Sequence, residues 1–252
     1  MPSAATLRLE IERALEDRIP AALTPKPQTV YETASTGIAA VDALVGGGFP
    51  VGAITELAGP VSSGRTSLAL SFMAGRTCVG QVCAWVDASD ALDPESAAAS
   101  GVSLRQLLWV RCLDRAGAAK GKPWSRLDQA LRAADLILEA AGFAAVVLDL
   151  GGIDARDAAR IPLATWFRFR QNAQRSRTSL VVVGERACAQ SAAAVVLECG
   201  AGRASVAGGT VLSSFGFSVS RERQRFGSVG GGRKPPASVW LAASVWDLKR
   251  RA

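Results

Sequence analysis

The sequence contains no histidine. Imidazole is the commonest general base and the usual partner of a nucleophilic serine or cysteine, so Ser-His-Asp and Cys-His catalysis are excluded. The five cysteines, Cys78, Cys83, Cys112, Cys188 and Cys199, are odd in number and contain no C-x-x-C pair. Without histidine to complete a zinc site, they read as reduced, mostly buried thiols. No apolar run is long enough to span a bilayer. The opening MPSAATLRLEIERALEDR carries acidic residues where a secretion signal needs a basic start and an apolar stretch. A cytoplasmic protein without a membrane partner is expected.

With 252 residues, 49% of them apolar, the chain suits one α/β domain with a short appendage. Its net charge of +7 is unevenly placed. Residues 1–100 carry 6 basic and 11 acidic side chains, and residues 101–252 carry 23 and 11. The positive field of the second part fits contact with nucleic acid or an acidic partner. Leu7, Ile11, Ala14, Leu15 and Ile19 recur at helical spacing, which predicts an amphipathic helix ending before Pro20. With Pro25 and Pro27 behind it, residues 1–30 read as a helix and linker, and residues 31–252 as the core domain.

From residue 50 onward, short β-rich runs alternate with helical runs, the pattern of a mostly parallel sheet flanked by helices. Strands are expected at Ala53 to Ala58, Val82 to Asp87, Ala144 to Leu150 and Ser179 to Gly184, with helices beginning near Gly64, Ser125 and Ile161. Beyond Val195 the helical pattern stops, and Val206 to Leu212, Phe215 to Arg225 and Ser238 to Ser244 read as an antiparallel edge.

The segment Gly59-Pro60-Val61-Ser62-Ser63-Gly64-Arg65-Thr66 matches the phosphate-loop pattern G-x-x-x-x-G-K-[ST], with arginine in place of lysine. It lies between a predicted strand and a predicted helix, so loop amides and a helix N-terminus converge on a place suited to an anion. Asp149 closes the apolar run AAVVLD as a Walker B aspartate does. ATP with magnesium is therefore the cofactor to consider, with Thr66 and Asp149 its metal ligands if it binds; no other metal site is expected.

Ser35-Thr36-Gly37, Asp42, Leu44, Gly46-Gly47-Gly48-Phe49-Pro50, Gly52, Glu56 and Gly59-Pro60 resemble the segment leading into the phosphate loop of bacterial RecA. Cys83 to Ala88, Ala91-Leu92-Asp93-Pro94, Gly101-Val102 and Leu107-Leu108 are similar to RecA's next strand and loop. The resemblance is clear over residues 35–110 and implies a RecA-type P-loop ATPase core. The departures from it bear on catalysis. Arg65 is longer and forked, and cannot place its charge where lysine does. Where RecA carries its water-activating glutamate this chain has Ser89, which cannot serve as a base, and the neighbouring Asp90 points elsewhere along an extended segment. Gly184-Glu185 stands at the position of RecA's Asn-Gln sensor, and a glutamate there repels a γ-phosphate. Both DNA-binding loops look shortened, Leu150 running almost directly into the helix at Ile161, and no counterpart of RecA's C-terminal domain is expected.

The degenerate loop, LLWVRC (Leu107 to Cys112), RIPLATWFRFR (Arg160 to Arg170) and the shortened second loop resemble the ImuA family. That resemblance implies a role in the SOS response to DNA damage: error-prone translesion synthesis and mutagenesis alongside ImuB and a C-family polymerase. On this basis the chain is expected to be a non-catalytic adaptor, with RecA itself as a partner it binds and inhibits. The alternatives are a slow DNA-dependent ATPase or RecA-paralogue recombination factor, and a division inhibitor like SulA, which lacks a phosphate loop.

Two basic surfaces are candidates for DNA or partner contact. On the helix after Asp149, Arg168 and Arg175 share a face opposite Pro162, Trp166, Phe169 and Ala173. Arg221, Arg223 and Arg225 alternate along one predicted strand, which points all three to the same side. Arg233, Lys234 and Lys249-Arg250-Arg251 extend this footprint. The aromatic residues fall mostly on core faces, so any DNA binding is expected to be weak, non-specific and salt-dependent.

Overall fold

A computed structural model describes residue 6 and residues 31–113, 125–207, 211–225 and 237–243. The expected N-terminal helix and linker, and the basic residues at 233–234 and 249–251, lie outside the described residues.

Two short strands, β1 (Thr33–Ala34) and β2 (Phe49–Pro50), flank helix α1 (Ala39–Val45) and pair antiparallel. The motif leading into the phosphate loop is structural. Asp42 accepts hydrogen bonds from the Thr36 amide at 2.8 Å, the Thr36 hydroxyl at 2.7 Å and the Ser35 hydroxyl at 2.6 Å. Gly48, at φ 127°, lies so close to β1 that an added Cβ would sit 2.1 Å from the Ala34 carbonyl oxygen, so no side chain is tolerated there.

The remaining strands are β3 (Ile54–Ala58), β4 (Cys83–Asp87), β5 (Leu107–Arg111), β6 (Ala145–Asp149), β7 (Ser179–Gly184), β8 (Val195–Cys199), β9 (Arg203–Ala207), β10 (Val211–Gln224) and β11 (Ala237–Ala243). They form one sheet in the order β11-β10-β8-β3-β7-β6-β4-β5, with β9 paired to β10. β8, β3, β7, β6, β4 and β5 run parallel; β10 turns antiparallel on β8 and carries β9 and β11 antiparallel in turn. The expected α/β architecture with an antiparallel edge is present.

Strands β3, β4, β6 and β7 are buried along their whole length, because helices cover both faces of the parallel part. One core layer gathers Leu57, Phe72, Trp85, Val147 and Leu197 under helix α2 (Arg65–Thr77). The other gathers Ile54, Val86, Leu148, Trp166 and Phe169 under α4 (Arg126–Ala140) and α6 (Leu163–Ser176). Alternating strand residues feed alternate layers, as the two-residue period requires.

Helix starts follow local chemistry. In Asp93-Pro94, Asp93 caps α3 (Pro94–Ala99) by accepting the Ser96 amide at 3.0 Å, and proline fills the first helical position. Ser125 caps α4 reciprocally with Asp128.

Three expectations are corrected. The run 206–212 is not one strand: β9 ends at Ala207 and β10 begins at Val211. Leu150 does not run directly into a helix at Ile161, because a short helix, α5 (Ala155–Ala159), capped by Asp154, intervenes. Pro162 is exposed at the N-cap of α6 rather than in the core, whereas Trp166, Phe169 and Ala173 are buried as expected. Proline lacks the amide that a helix interior requires, so it marks the boundary and leaves the packed face to the residues after it. Among the described residues no helix is long and apolar enough to cross a membrane.

Candidate functional site: a phosphate loop closed by its own arginine

The loop between β3 and α2 keeps a backbone suited to anions. Ser62 and Gly64 have positive φ, 61° and 81°, on either side of Ser63, and left-handed residues of this kind are what anion-binding backbone nests are built from. Gly64 is required for a second reason. The Phe217 ring of β10 lies against it, and a Cβ at Gly64 would fall 2.6 Å from Phe217 Cγ. Phe217 packs in turn on Trp240, with ring centroids 4.8 Å apart. Residues Val61 to Ser67, with Phe215 and Phe217, line a cavity of 410 Å³.

Arg65 stands where the lysine of a phosphate loop stands, yet its guanidinium does not face that cavity as a free charge. It is 7% exposed and folds inward. Nη1 donates to the Gly59 carbonyl and, at 3.1 Å, to the Gly184 carbonyl; Nη2 donates to the Gly151 carbonyl at 3.3 Å. The Gly184 carbonyl ends β7, and those of Gly59 and Gly151 lie one residue beyond β3 and two beyond β6. The forked donor set of arginine reaches all of them, which the single ammonium of lysine cannot.

Asp149 ends β6 beside this arginine. Its Oδ1 accepts the Gly151 amide at 2.9 Å. Burial raises its carboxyl to about 6, an increase reinforced by Asp87 and opposed by the Gly151 amide, Arg65 and Trp85. Asp87 is occupied structurally, accepting from the amides of Leu92 at 2.8 Å and Ala91 at 3.1 Å and from Trp109 Nε1 at 3.3 Å. Thr66 is exposed in the first turn of α2, and Ser63 is buried with its hydroxyl unpartnered.

The position expected for a catalytic base holds Ser89, whose buried hydroxyl has no partner and lies against Gly152. Asp90 points away from the loop into a bidentate ion pair with Arg111, at 2.6 and 2.8 Å. Glu185 is exposed and lines a separate 710 Å³ cleft with Gly151 to Arg156 and Arg186 to Cys188. The residues present therefore fit an anion on the loop backbone. They do not fit hydrolysis of magnesium-bound ATP: the cation of the loop is spent on carbonyls and the base position is a serine.

The basic surfaces differ from expectation. Between Arg221 and Arg223 the ladder to β8 carries a bulge, so these residues pair with Leu197 and Val196, neighbours that face opposite layers. Arg221 donates to the Leu44 carbonyl at 2.7 Å and to Gln224 at 2.9 Å, whereas Arg223 reaches the Gln190 carbonyl and the neighbourhood of Glu56. The one-sided triad is thus broken, because the extra residue, Glu222, resets the two-residue period; Arg225 is exposed. Arg168 forms an ion pair with Asp135 at 3.0 Å, and Arg175 hydrogen-bonds Asn172 at 3.2 Å.

Sequence reasoning missed Glu56 as a structural anchor, although an acidic residue inside the apolar run AITELA is itself a signal. It also missed Phe217 as the wall of the loop. Four of the cysteines are buried and Cys78 is exposed, all as free thiols.

The RecA N-terminal domain model matches residues 5–151. The chain is 49% identical over 77 residues to the RecA protein of Crocosphaera subtropica, covering 31% of this chain and 22% of that one. It is 43% identical over 99 residues to RecA of Synechocystis, covering 39% and 28%. The chain thus matches only about a quarter of the length of these relatives. A crystal structure of the RadB recombinase superposes with a TM-score of 0.55 at 19% identity, covering 82% of this chain and 94% of that one, a likeness of fold. With the strand-loop-helix at Gly59–Thr66, the aspartate at the end of β6 and a family match over more than half its length, this chain belongs to the RecA N-terminal domain family.

Proposed function

We propose that this chain is a RecA-fold protein that does not turn over ATP and works by protein contact, as an adaptor in SOS mutagenesis supporting error-prone translesion synthesis with ImuB and a C-family polymerase. The observation that carries the non-catalytic part is the capture of the Arg65 guanidinium by the carbonyls of Gly59, Gly184 and Gly151. Three of its five N–H donors are engaged by these carbonyls, which holds the charge at the strand ends rather than on a γ-phosphate, and Ser89 supplies no base. Family membership makes ATP and magnesium the ligands to test. The pathway and its partners rest on the resemblance of Leu107 to Cys112 and Arg160 to Arg170 to ImuA. RecA as a direct, inhibited partner follows from a shared core without turnover, which suits a subunit that joins a RecA assembly and stalls it.

ATP turnover by the purified protein with single-stranded DNA, alone and then titrated into RecA, tests both parts. No turnover alone, with a dose-dependent fall in RecA's rate, is the expected result. Turnover that Asp149→Ala abolishes makes the chain a slow ATPase instead, and an unchanged RecA rate removes RecA as its target.

A further inference from the structure

The three carbonyls that hold Arg65 belong to three different strand ends, and two of those ends open directly into the 710 Å³ cleft. Gly151 begins the segment that continues through Gly152 to Ala159, and Gly184 precedes Glu185 to Cys188; both segments line that cleft. The Gly59 amide adds a link of its own, shared between the Gly184 and Glu185 carbonyls at 3.2 Å each. In open parallel sheets a ligand at the C-terminal strand ends is what normally touches these loops together. Here a side chain of the chain itself does so.

We propose that Arg65 is a built-in latch, a positioning residue that fixes the two cleft-lining segments in one arrangement without nucleotide or metal. This rests on the non-catalytic reading above and deepens it. A guanidinium has two terminal nitrogens in one plane, and both are used, Nη1 on Gly59 and Gly184 and Nη2 on Gly151. When it is removed the Gly59 and Gly151 carbonyls lose this partner and the Gly184 carbonyl keeps only the Gly59 amide, so the strand ends lose their common partner and separate. The cleft is then a constitutive surface of the protein rather than one that nucleotide switches.

Amide hydrogen exchange on the full-length protein tests the latch without relying on turnover. Segments 151–159 and 185–190 are expected to exchange about tenfold faster in Arg65→Ala, while β4 and β6 keep their protection. Millimolar guanidinium is expected to restore protection at those two segments in the alanine variant, whereas sodium chloride at the same concentration is not. Addition of magnesium and ATP to the wild-type protein is expected to leave both segments unchanged. If Arg65→Ala does not fold, Arg65→Lys carries the test, and accelerated exchange confined to the two segments supports the latch. Wild-type exchange in either variant, failure of guanidinium to rescue a folded alanine variant, or new protection on adding ATP each overturns it. ATP turnover by the wild-type protein with these exchange results intact would sink the non-catalytic reading alone.

Discussion

Glu56 Oε1 accepts the backbone amide of Cys188 at 2.6 Å, so a carboxylate in the middle of β3 holds the loop that follows β7. The Ala189 amide bonds the same oxygen at 2.7 Å, and Oε2 is buried without a partner. Burial raises the Glu56 carboxyl above its ordinary value, against the opposing pull of the two amides, Arg223 and the Cys188 thiol. Glu56→Ala strands two buried amides and is expected to cost about 2–4 kcal/mol in urea unfolding. Glu56→Gln keeps an acceptor and removes the buried charge. Because the folded carboxyl titrates above the unfolded one, its contribution is fully present below pH 4.5 and is lost as pH rises. The glutamine variant should therefore gain on the wild type between acid and neutral pH. A constant difference across that range would show that Glu56 is not buried as described.

Asp149→Asn carries the same sign with a defined window. The carboxyl is raised from 3.8 to about 6, chiefly by burial. Its stabilising share is complete below about pH 4 and lost as pH passes through about 6, on the order of 3 kcal/mol for a shift of this size. Thermal unfolding without ligands should show the asparagine variant melting above the wild type at pH 8, with the gap closing near pH 4. The opposite order at pH 8 would mean that attraction to Arg65 outweighs burial.

Gly64 and Phe217 are expected to be coupled. Gly64→Ala places a Cβ against the Phe217 ring at φ 81°, combining a clash with a strained backbone. Phe217→Ala removes the ring from between Gly64 and Trp240 and is expected to cost about 3–5 kcal/mol. In a double-mutant cycle the two losses should not add, because the shortened side chain relieves the clash while the cost of the backbone angle remains. Strict additivity would place Phe217 away from the loop.

Thiol chemistry gives an inexpensive check of the two core layers. Cys78 is exposed, and the other four cysteines are buried. Burial pushes the Cys83 thiol up to about 11 and Cys199 to about 12, and also raises Cys112 and Cys188. The thiolate is the reactive form, so one thiol should react quickly with a disulfide reagent under native conditions and four only on unfolding. Rapid reaction of a second thiol would locate an open core layer.

The order of strands and helices was legible because each element announces itself locally. The runs at Ile54 and Val146 are apolar and short, Ser125 and Asp93-Pro94 mark helix starts, and Gly64 needs its left-handed angle whatever surrounds it. That position 89 cannot supply a general base was equally legible, since serine lacks the chemistry in any fold. The edge strand at Leu107–Arg111 and the short helix at Ala155–Ala159 escaped notice because so few residues carry weak periodicity.

What the sequence determined by itself, then, was the α/β order, the phosphate-loop pattern and the arginine and serine at positions 65 and 89, all properties of residue type and spacing. Only the tertiary structure decided where the charges go. Arg65 turns inward because three strand ends bring carbonyls within its reach, and the arginines of β10 divide between two faces because one bulge resets the pleat. Glu56 becomes a loop anchor because β7 delivers two amides to its carboxylate. Each of these depends on partners that lie 86 to 133 residues away in the chain, or on a register shift, and neither leaves a mark in local sequence.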